Sequence, residues 1–374
     1  MRIGLVAPPW VTVPPTRYGG TESVVDNLAR GLADRGHTVR LFTVGSSTCP
    51  VDRQWLFDEP VGPIGAGELE AAHVLAAYES LAPDVDVIHD HTALGPLLAQ
   101  ALPGPDGDGS RVPVVLTLHG PPHRAPGRLL NHTARRAALV AISRSQRAAA
   151  TGLRFARVIH HGVDVDVHRA GPGGGGFVMF VGRMSPDKGV HRAVDIARRA
   201  GTRLVIAAKM WEDVEVEYFR TEVEPRLHDG VEVLLDADRD TRVELMGRAD
   251  ALLNPICWPE PFGLVMAEAL ACGTPVVGAP YGAAPEIVDD GVTGFLHEGD
   301  DDLVAALGRV GELDREACRL AAVGRFSIER MARDHERLYA ELVAGAALPR
   351  RAVTRRVPAR ARATRGSLGV AGSA

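Results

Sequence analysis

Residues 171–182 read Gly171-Pro172-Gly173-Gly174-Gly175-Gly176-Phe177-Val178-Met179-Phe180-Val181-Gly182. The first six cannot sustain a helix or a strand: five glycines have no side chain to pack and the proline has no N–H to donate. The next six form an apolar run that reads as a buried strand. A glycine linker feeding directly into a strand marks the start of a second domain.

The same strand–helix alternation runs on both sides of this linker. Upstream, 3–7 reads as a strand, followed by a proline-rich loop and Gly19-Gly20-Thr21. The segment 22–35 reads as a helix, with Val24, Val25, Leu28 and Leu32 on one face and Gly36 as its stop. Further strands are expected at 38–44, 85–89, 112–118, 139–142 and 157–160. Downstream, strands are expected at 177–182, 203–207, 231–235, 251–254, 274–278 and 294–297. Helices fall at 190–200, 239–248, 264–271 and 301–310, and a last amphipathic helix at 327–342. Near-continuous apolar strands alternating with helices predict parallel sheets covered on both faces. The expectation is an α/β protein of two Rossmann-like, doubly wound domains facing a central cleft. Residues 1–170 form the first domain, 171–326 the second and 327–348 a helix packing back toward the first. Ligands of such sheets bind beyond the carboxyl ends of the strands, so the cleft should hold the site.

Composition narrows the function. The 374 residues include 42 Lys plus Arg against 47 Asp plus Glu, with 45% hydrophobic and 24% charged residues. A net charge of -5 argues against a nucleic-acid binder, and no stretch approaches the ~20 apolar residues of a membrane span. The run Met1 to Ala7 ends at Pro8-Pro9 and suits a first strand rather than a signal peptide, so a cytoplasmic location is expected. Cys49, Cys257, Cys272 and Cys318 make no CxxC pair, which suggests neither a disulfide framework nor a zinc site. Arg350, Arg351, Arg355, Arg356, Arg360, Arg362 and Arg365 lie in a tail without acids. With almost no large apolar residue, 349–374 reads as a disordered basic tail. It would suit weak contact with an anionic membrane surface or serve only solubility.

Two segments carry chemistry. In Pro259-Glu260-Pro261-Phe262-Gly263-Leu264-Val265-Met266-Ala267-Glu268, two carboxylates stand eight positions apart, one before a helix and one inside it. The helix start favours an anion such as a diphosphate, and the carboxylates can accept from sugar hydroxyls. Taken alone, such a pair is a helix-start acid and a solvated helix residue. In Gly182-Arg183-Met184-Ser185-Pro186-Asp187-Lys188-Gly189, two cations follow a strand and precede a helix. Arginine holds phosphate oxygens bidentately and lysine acts as a mobile point charge. Arg183 alone says little in a chain with so many arginines, but Lys188 is one of only two lysines.

Together these segments resemble the family-four retaining glycosyltransferases, also called glycosyltransferase group one, which have the GT-B fold. Glu260 and Glu268 match the family's paired glutamates, and Arg183 with Lys188 its paired cations. Gly19-Gly20, Leu118-His119-Gly120, Gly273-Thr274-Pro275-Val276-Val277 and Pro285-Glu286-Ile287-Val288 match in order. The likeness covers about residues 1–345. The long loop from Pro8 to Tyr18 looks like a bacterial subgroup that includes pterin glucosyltransferases.

The resemblance implies a transferase moving a hexose, with UDP-glucose as the default donor, to an unidentified small-molecule, lipid or glycan acceptor. Arg183 and Lys188 would hold the diphosphate, Glu268 the ribose and Glu260 a hydroxyl of the sugar. The backbone of Phe262, Gly263 and Leu264 would pack around sugar and phosphate. Gly19 and Gly20 would let the N-domain loop approach the diphosphate, and His119 would sit over the sugar. Same-face attack is implied, the leaving phosphate helping to deprotonate the acceptor, with no metal cofactor.

Departures and rivals remain. His160-His161-Gly162-Val163-Asp164 stands where Pro-Asn-Gly-Val-Asp is more usual, so His161 either takes over the asparagine's role or is a hinge residue. His89-Asp90-His91 looks like a metal pair without a third ligand; hydrogen bonding on the acceptor side, or packing, fits better. Trp211 and Trp258 read as packing residues. A nucleotide-sugar epimerase of the same fold and a non-catalytic nucleotide-sugar-binding subunit are the competing readings. No GxGxxG opens either domain, which weighs against a nicotinamide dehydrogenase.

Overall fold

The structure, a computed structural model, describes residues 1–17, 19–65, 67–98, 112–122 and 127–347. Tyr18 and the arginine tail lie outside the described residues.

Seven parallel strands form the first sheet: β1 (Arg2–Val6), β2 (Thr38–Thr43), β3 (Asp52–Trp55), β4 (Val87–Asp90), β5 (Val114–Leu118), β6 (Ala138–Ala141) and β7 (Phe155–Val158). Their order is β3-β2-β1-β4-β5-β6-β7. Helices α1 (Gly20–Asp34), α2 (Gly67–Leu81), α3 (Gly95–Leu98), α4 (Gly127–Thr133) and α5 (Arg144–Ala149) connect them. The second sheet holds β8 (Phe177–Arg183), β9 (Arg203–Lys209), β10 (Val231–Leu235), β11 (Ala251–Asn254), β12 (Val276–Gly278) and β13 (Gly294–Leu296), in the order β10-β9-β8-β11-β12-β13. Its helices are α6 (Val190–Ala200), α7 (Asp213–Tyr218), α8 (Arg239–Arg248), α9 (Leu264–Ala271), α10 (Ala284–Ile287), α11 (Asp300–Leu307), α12 (Arg315–Phe326) and α13 (Ile328–Ala347). Each sheet reverses its winding at one place, between β1 and β4 and between β8 and β11. The loops after these four strands therefore open the crevices where ligands of such sheets bind.

Some elements differ from the sequence reading. β3 was not expected. Its residues, Asp-Arg-Gln-Trp, are largely polar because it is an edge strand paired only with β2. Helix α12 was also not expected: its buried stripe, Cys318, Ala322 and Phe326, uses two small side chains that give little periodic signal. β7 ends at Val158 rather than residue 160, with a register shift against β6 at Leu139/Val140. That leaves His160 and His161 in the segment leading to the second domain.

The glycine run is no free hinge. Gly171, Gly173 and Gly175 donate their N–H groups to Cys272, Gly247 and Arg248 of the second domain. A Cβ on Gly171 would lie 2.3 Å from the Gly247 carbonyl oxygen, so glycine is needed there for close approach. The crossing lies earlier, where Val163 bridges Ser327 and donates to the Phe326 carbonyl. At Ser327 the chain turns back, and α13 packs on α1. Its Met331, Ala332, Leu338 and Tyr339 join the core built on Ile3, Leu5, Leu28 and Leu41. Among the described residues no helix is long and apolar enough to cross a membrane.

Candidate active site

In the second domain, three loops are locked together at the ends of β8, β11 and β12. Cys257 N–H donates to the Asp187 carbonyl at 2.8 Å, and Ala283 N–H to that of Glu260 at 2.9 Å. Gly189 has φ 71°, and a Cβ there would lie 2.2 Å from the Pro255 carbonyl oxygen, so only glycine allows this contact. The result places Lys188 Nζ on Glu260 Oε2 as an ion pair. Trp258 completes the group: its indole N–H donates to the same Glu260 oxygen at 3.1 Å, and Lys188 lies 5.3 Å from the ring centroid. Arg183 stands at the end of β8, with Asp187 at 3.0 Å. Gly263, at φ 94°, precedes α9, which no side chain caps.

The first domain meets this group with α1, likewise uncapped by any side chain. Gly20 lies against Leu264, whose Cδ1 is 3.5 Å from a Cβ built on Gly20. Two helix N-termini thus face one region, and their partial positive ends suit an anion. Gly19 is packed differently: a Cβ there would lie 2.7 Å from Pro15 and 3.0 Å from the Glu22 carboxylate. Burial pushes the Glu22 carboxyl up to about 7, with its own backbone N–H opposing.

A row of imidazoles lines the same side. His119 Nε2 lies 2.9 Å from His91 Nδ1, and its ring stacks on His161 at 5.1 Å. His161 in turn meets the Phe262 ring edge-on at 5.2 Å. His91 Nε2 is buried without a hydrogen-bond partner. An orphaned lone pair costs less than an orphaned N–H, which puts the shared proton on His91 Nδ1 and leaves His119 protonated at Nδ1. Burial first, then His335, pushes His119 down to about 3, so it is neutral near pH 7. His89 is held on both nitrogens, by Tyr339 at 2.6 Å and Thr117 at 2.8 Å. Among the described residues no group of three or more His, Cys, Asp or Glu is arranged to hold a metal ion.

Glu268 stands apart from Lys188. It lines a cavity of ≈ 70 Å³ between the domains with Asn27, Asp164, His168, Arg239 and Arg242. A latch joins the domains elsewhere: Glu286, from α10, accepts the N–H groups of Arg144 and Ser145 at the start of α5 and the His160 ring at 3.0 Å. Arg183, Lys188, Glu260, Phe262, Gly263 and Leu264 are therefore brought together, with Gly20 and the His119–His161 pair facing them. His161 packs its ring in the row, on a backbone that belongs to the crossing segment. Trp258 is a hydrogen-bond donor to Glu260, and Trp211 is exposed with its N–H on Asp236, so neither merely packs. Sequence reasoning missed Trp258, His168, His335 and Tyr339; only Trp258, two positions before Glu260, carried a local signal.

Residues 18–167 match the family model described as Glycosyltransferase Family 4. Residues 169–324 match the model described as glycosyl transferases group 1. The D-inositol 3-phosphate glycosyltransferase of Mycolicibacterium smegmatis is 29% identical over 385 residues, which cover 84% of this chain and 82% of that protein. The alpha-maltose-1-phosphate synthase of Mycobacterium tuberculosis is 33% identical over 176 residues, 41% of this chain and 45% of that protein. A glycosyltransferase involved in avilamycin A biosynthesis has a similar structure, with TM-score 0.68 and 29% identity over 92% of this chain and 98% of that one. An Anabaena protein solved with UDP-glucose shares the fold, with TM-score 0.72 and 20% identity over 91% of this chain and 100% of that one.

Proposed function

We propose a reaction for a chain that belongs, through both of its halves, to the group 1, family-four glycosyltransferases of GT-B fold: transfer of a hexose, glucose by default, from a nucleotide-diphosphate sugar to an acceptor, with retention of anomeric configuration. The observation that carries this reading is the convergence of Arg183, Lys188, Glu260 and two uncapped helix N-termini at the switch points of facing sheets.

The diphosphate would lie between α1 and α9, against Arg183 and Lys188. Lys188 then exchanges Glu260 for phosphate. That exchange frees an acceptor position on the Glu260 carboxylate for a sugar hydroxyl, while the Trp258 indole still donates to Oε2. As the glycosidic bond breaks, charge grows on the leaving phosphate, where these donors already point. Preorganised stabilisation of that kind is usually the largest catalytic contribution. Glu22, with its carboxyl raised to about 7, is only partly ionised near neutral pH, so it opposes the phosphate less than an ordinary carboxylate would. His119 would meet the sugar as a neutral hydrogen-bond donor through Nδ1, and Glu268 would accept from the ribose. The attacking hydroxyl would approach on the face the phosphate leaves, and pass its proton to that phosphate. Two cations and two dipole ends serve the leaving group without a metal ion.

The test is an assay of the full chain with UDP-glucose and other nucleotide sugars against an acceptor panel, with and without EDTA. Nucleoside diphosphate should appear only when an acceptor is present, undiminished by EDTA, and proton NMR of the fresh product should show the donor's anomeric coupling. An inverted anomer would sink the retaining mechanism. Activity lost to EDTA and restored by magnesium would sink the metal-free leaving-group account.

A further inference from the structure

His168 lies just beyond the crossing between domains, on a backbone held by Arg319, which donates to the carbonyls of Val165, His168 and Ala271. The ring is mostly buried and its tautomer can be read from its partner. Nδ1 lies 2.9 Å from the Asp164 carbonyl oxygen. A carbonyl only accepts, so Nδ1 carries the proton, and in the neutral ring Nε2 is an acceptor.

That acceptor faces another. His168 Nε2 lies 4.0 Å from Glu268 Oε1, too far for a direct hydrogen bond. Both line the cavity between the domains, with Asp164, Val181 and Leu264. Two acceptors held a few ångströms apart at the wall of a cavity call for a ligand with two donors at matching separation. A vicinal diol offers that: two adjacent hydroxyls, each able to donate to one acceptor.

We infer that His168 is a specificity-determining residue that reads the donor ribose together with Glu268, each accepting from one of its two hydroxyls. This rests on the reading that Glu268 meets the ribose, and adds the residue that makes the site selective for ribonucleoside over deoxyribonucleoside diphosphates. A site built to accept from a hydroxyl penalises the analogue lacking it, because the acceptor is left desolvated and unpaired.

The experiment is calorimetric titration of the full chain with UDP and its 2′-deoxy and 3′-deoxy forms, and with the ADP trio in parallel. The wild type should bind each deoxy form about 10-fold more weakly than its parent, one hydrogen bond being lost each time. His168→Phe should bind the parent about 10-fold more weakly and abolish the penalty for one missing hydroxyl, leaving the other penalty intact. Glu268→Gln should weaken the second penalty instead. His168→Gln, with thermal melts of every variant, guards against a Phe variant that fails to fold. His168 variants that keep both penalties, with only a lower melting temperature, would mean an ion pair to Glu268 and nothing more, and the inference falls. If Glu268→Gln also keeps both penalties, or the wild type shows none, the ribose reading of Glu268 falls with it. A shift in Glu268→Gln alone overturns only the role of His168.

Discussion

Lysine is scarce in this chain, and both lysines occupy the same kind of setting at neighbouring strand ends. Lys188 pairs with Glu260 beside Trp258; Lys209 pairs with Glu215 at 3.0 Å and lies 4.9 Å from the Trp211 ring centroid. Lys209 is also the register partner of Arg183 across β8 and β9. Lys188 is the more readily released of the two, because it and Glu260 keep some exposure at the cleft, whereas Lys209 and Glu215 are buried. We expect Lys188→Ala and Arg183→Ala each to lower turnover by about 10²–10³ with melting temperatures near wild type, as typical for removal of one donor to developing charge. Steady-state kinetics with the donor varied checks this, and near-normal turnover in both variants would remove the phosphate site. These cations were legible because lysine stands out against arginine and because both lie on one short loop. His168 and Trp258 were not, since what places them at the site is a partner: a cavity shared with Glu268 across 100 residues, or an indole N–H aimed at a carboxylate by the turn between them.

At the scale of elements, several strands and helices were legible almost to the residue: α6 by its apolar stripe, and α8, α9, β10 and β11 by the segments that bound them. What escaped was assembled from distant pieces. The imidazole row takes His89 and His91 from β4 and its loop, His119 from the loop after β5, His161 from the crossing and His335 from α13. No local pattern could join residues 89 and 335. The row has a consequence for pH. Burial lowers His89, His91 and His161 below their usual value, His119 to about 3, and His335 and the separate His73 to about 4. In the unfolded chain each titrates at about 6.5. As pH falls below 6.5 the unfolded chain takes up these protons first, so stability present above pH 6.5 is lost down to about pH 3–4. Asp90, raised to about 6, and Glu22, raised to about 7, act oppositely: their contribution is full at low pH and lost as pH rises through those values. Six imidazoles outweigh two carboxyls. Denaturant unfolding should therefore show stability falling between pH 7 and 5, by up to about 1.4 kcal/mol per imidazole per pH unit. His335→Phe should flatten the slope. A flat profile from pH 7 to 5 would mean that these rings are solvated in the folded chain.

At the scale of the whole molecule, each of the two domains has a core of its own, and a further core runs between them. The core around Ile3 and Leu28 and that around Phe180 and Ile206 share no residue, so each domain could in principle melt alone. Four ties oppose that. One is the core that packs Ile142 of the first domain with Phe262, Met266 and Phe326 of the second. Glu286 of the second domain takes two N–H groups of α5 and the His160 ring. Asn27 and Arg30 of α1 hold the Gly162 carbonyl and the Asp164 carboxylate at the crossing. The largest tie is α13, which follows the second domain in sequence yet buries Met331, Ala332 and Tyr339 in the first. Its seat depends on one glycine: a Cβ on Gly31 of α1 would lie 2.6 Å from Ile328 Cγ2 and 3.0 Å from Ala332 Cβ. Gly31→Val should push the helices apart and unseat the row of buried residues that follows Ile328. Overpacking of this kind costs about 1–3 kcal/mol, and the loss falls on the first domain alone. Scanning calorimetry should show one coupled transition in the wild type. In the variant it should split, the first domain melting several degrees earlier while the second, which owns none of the disturbed contacts, keeps its own temperature. A single transition at the wild-type temperature would show that α13 accepts the added side chain, and that the Glu286 latch and the crossing segment suffice to couple the domains.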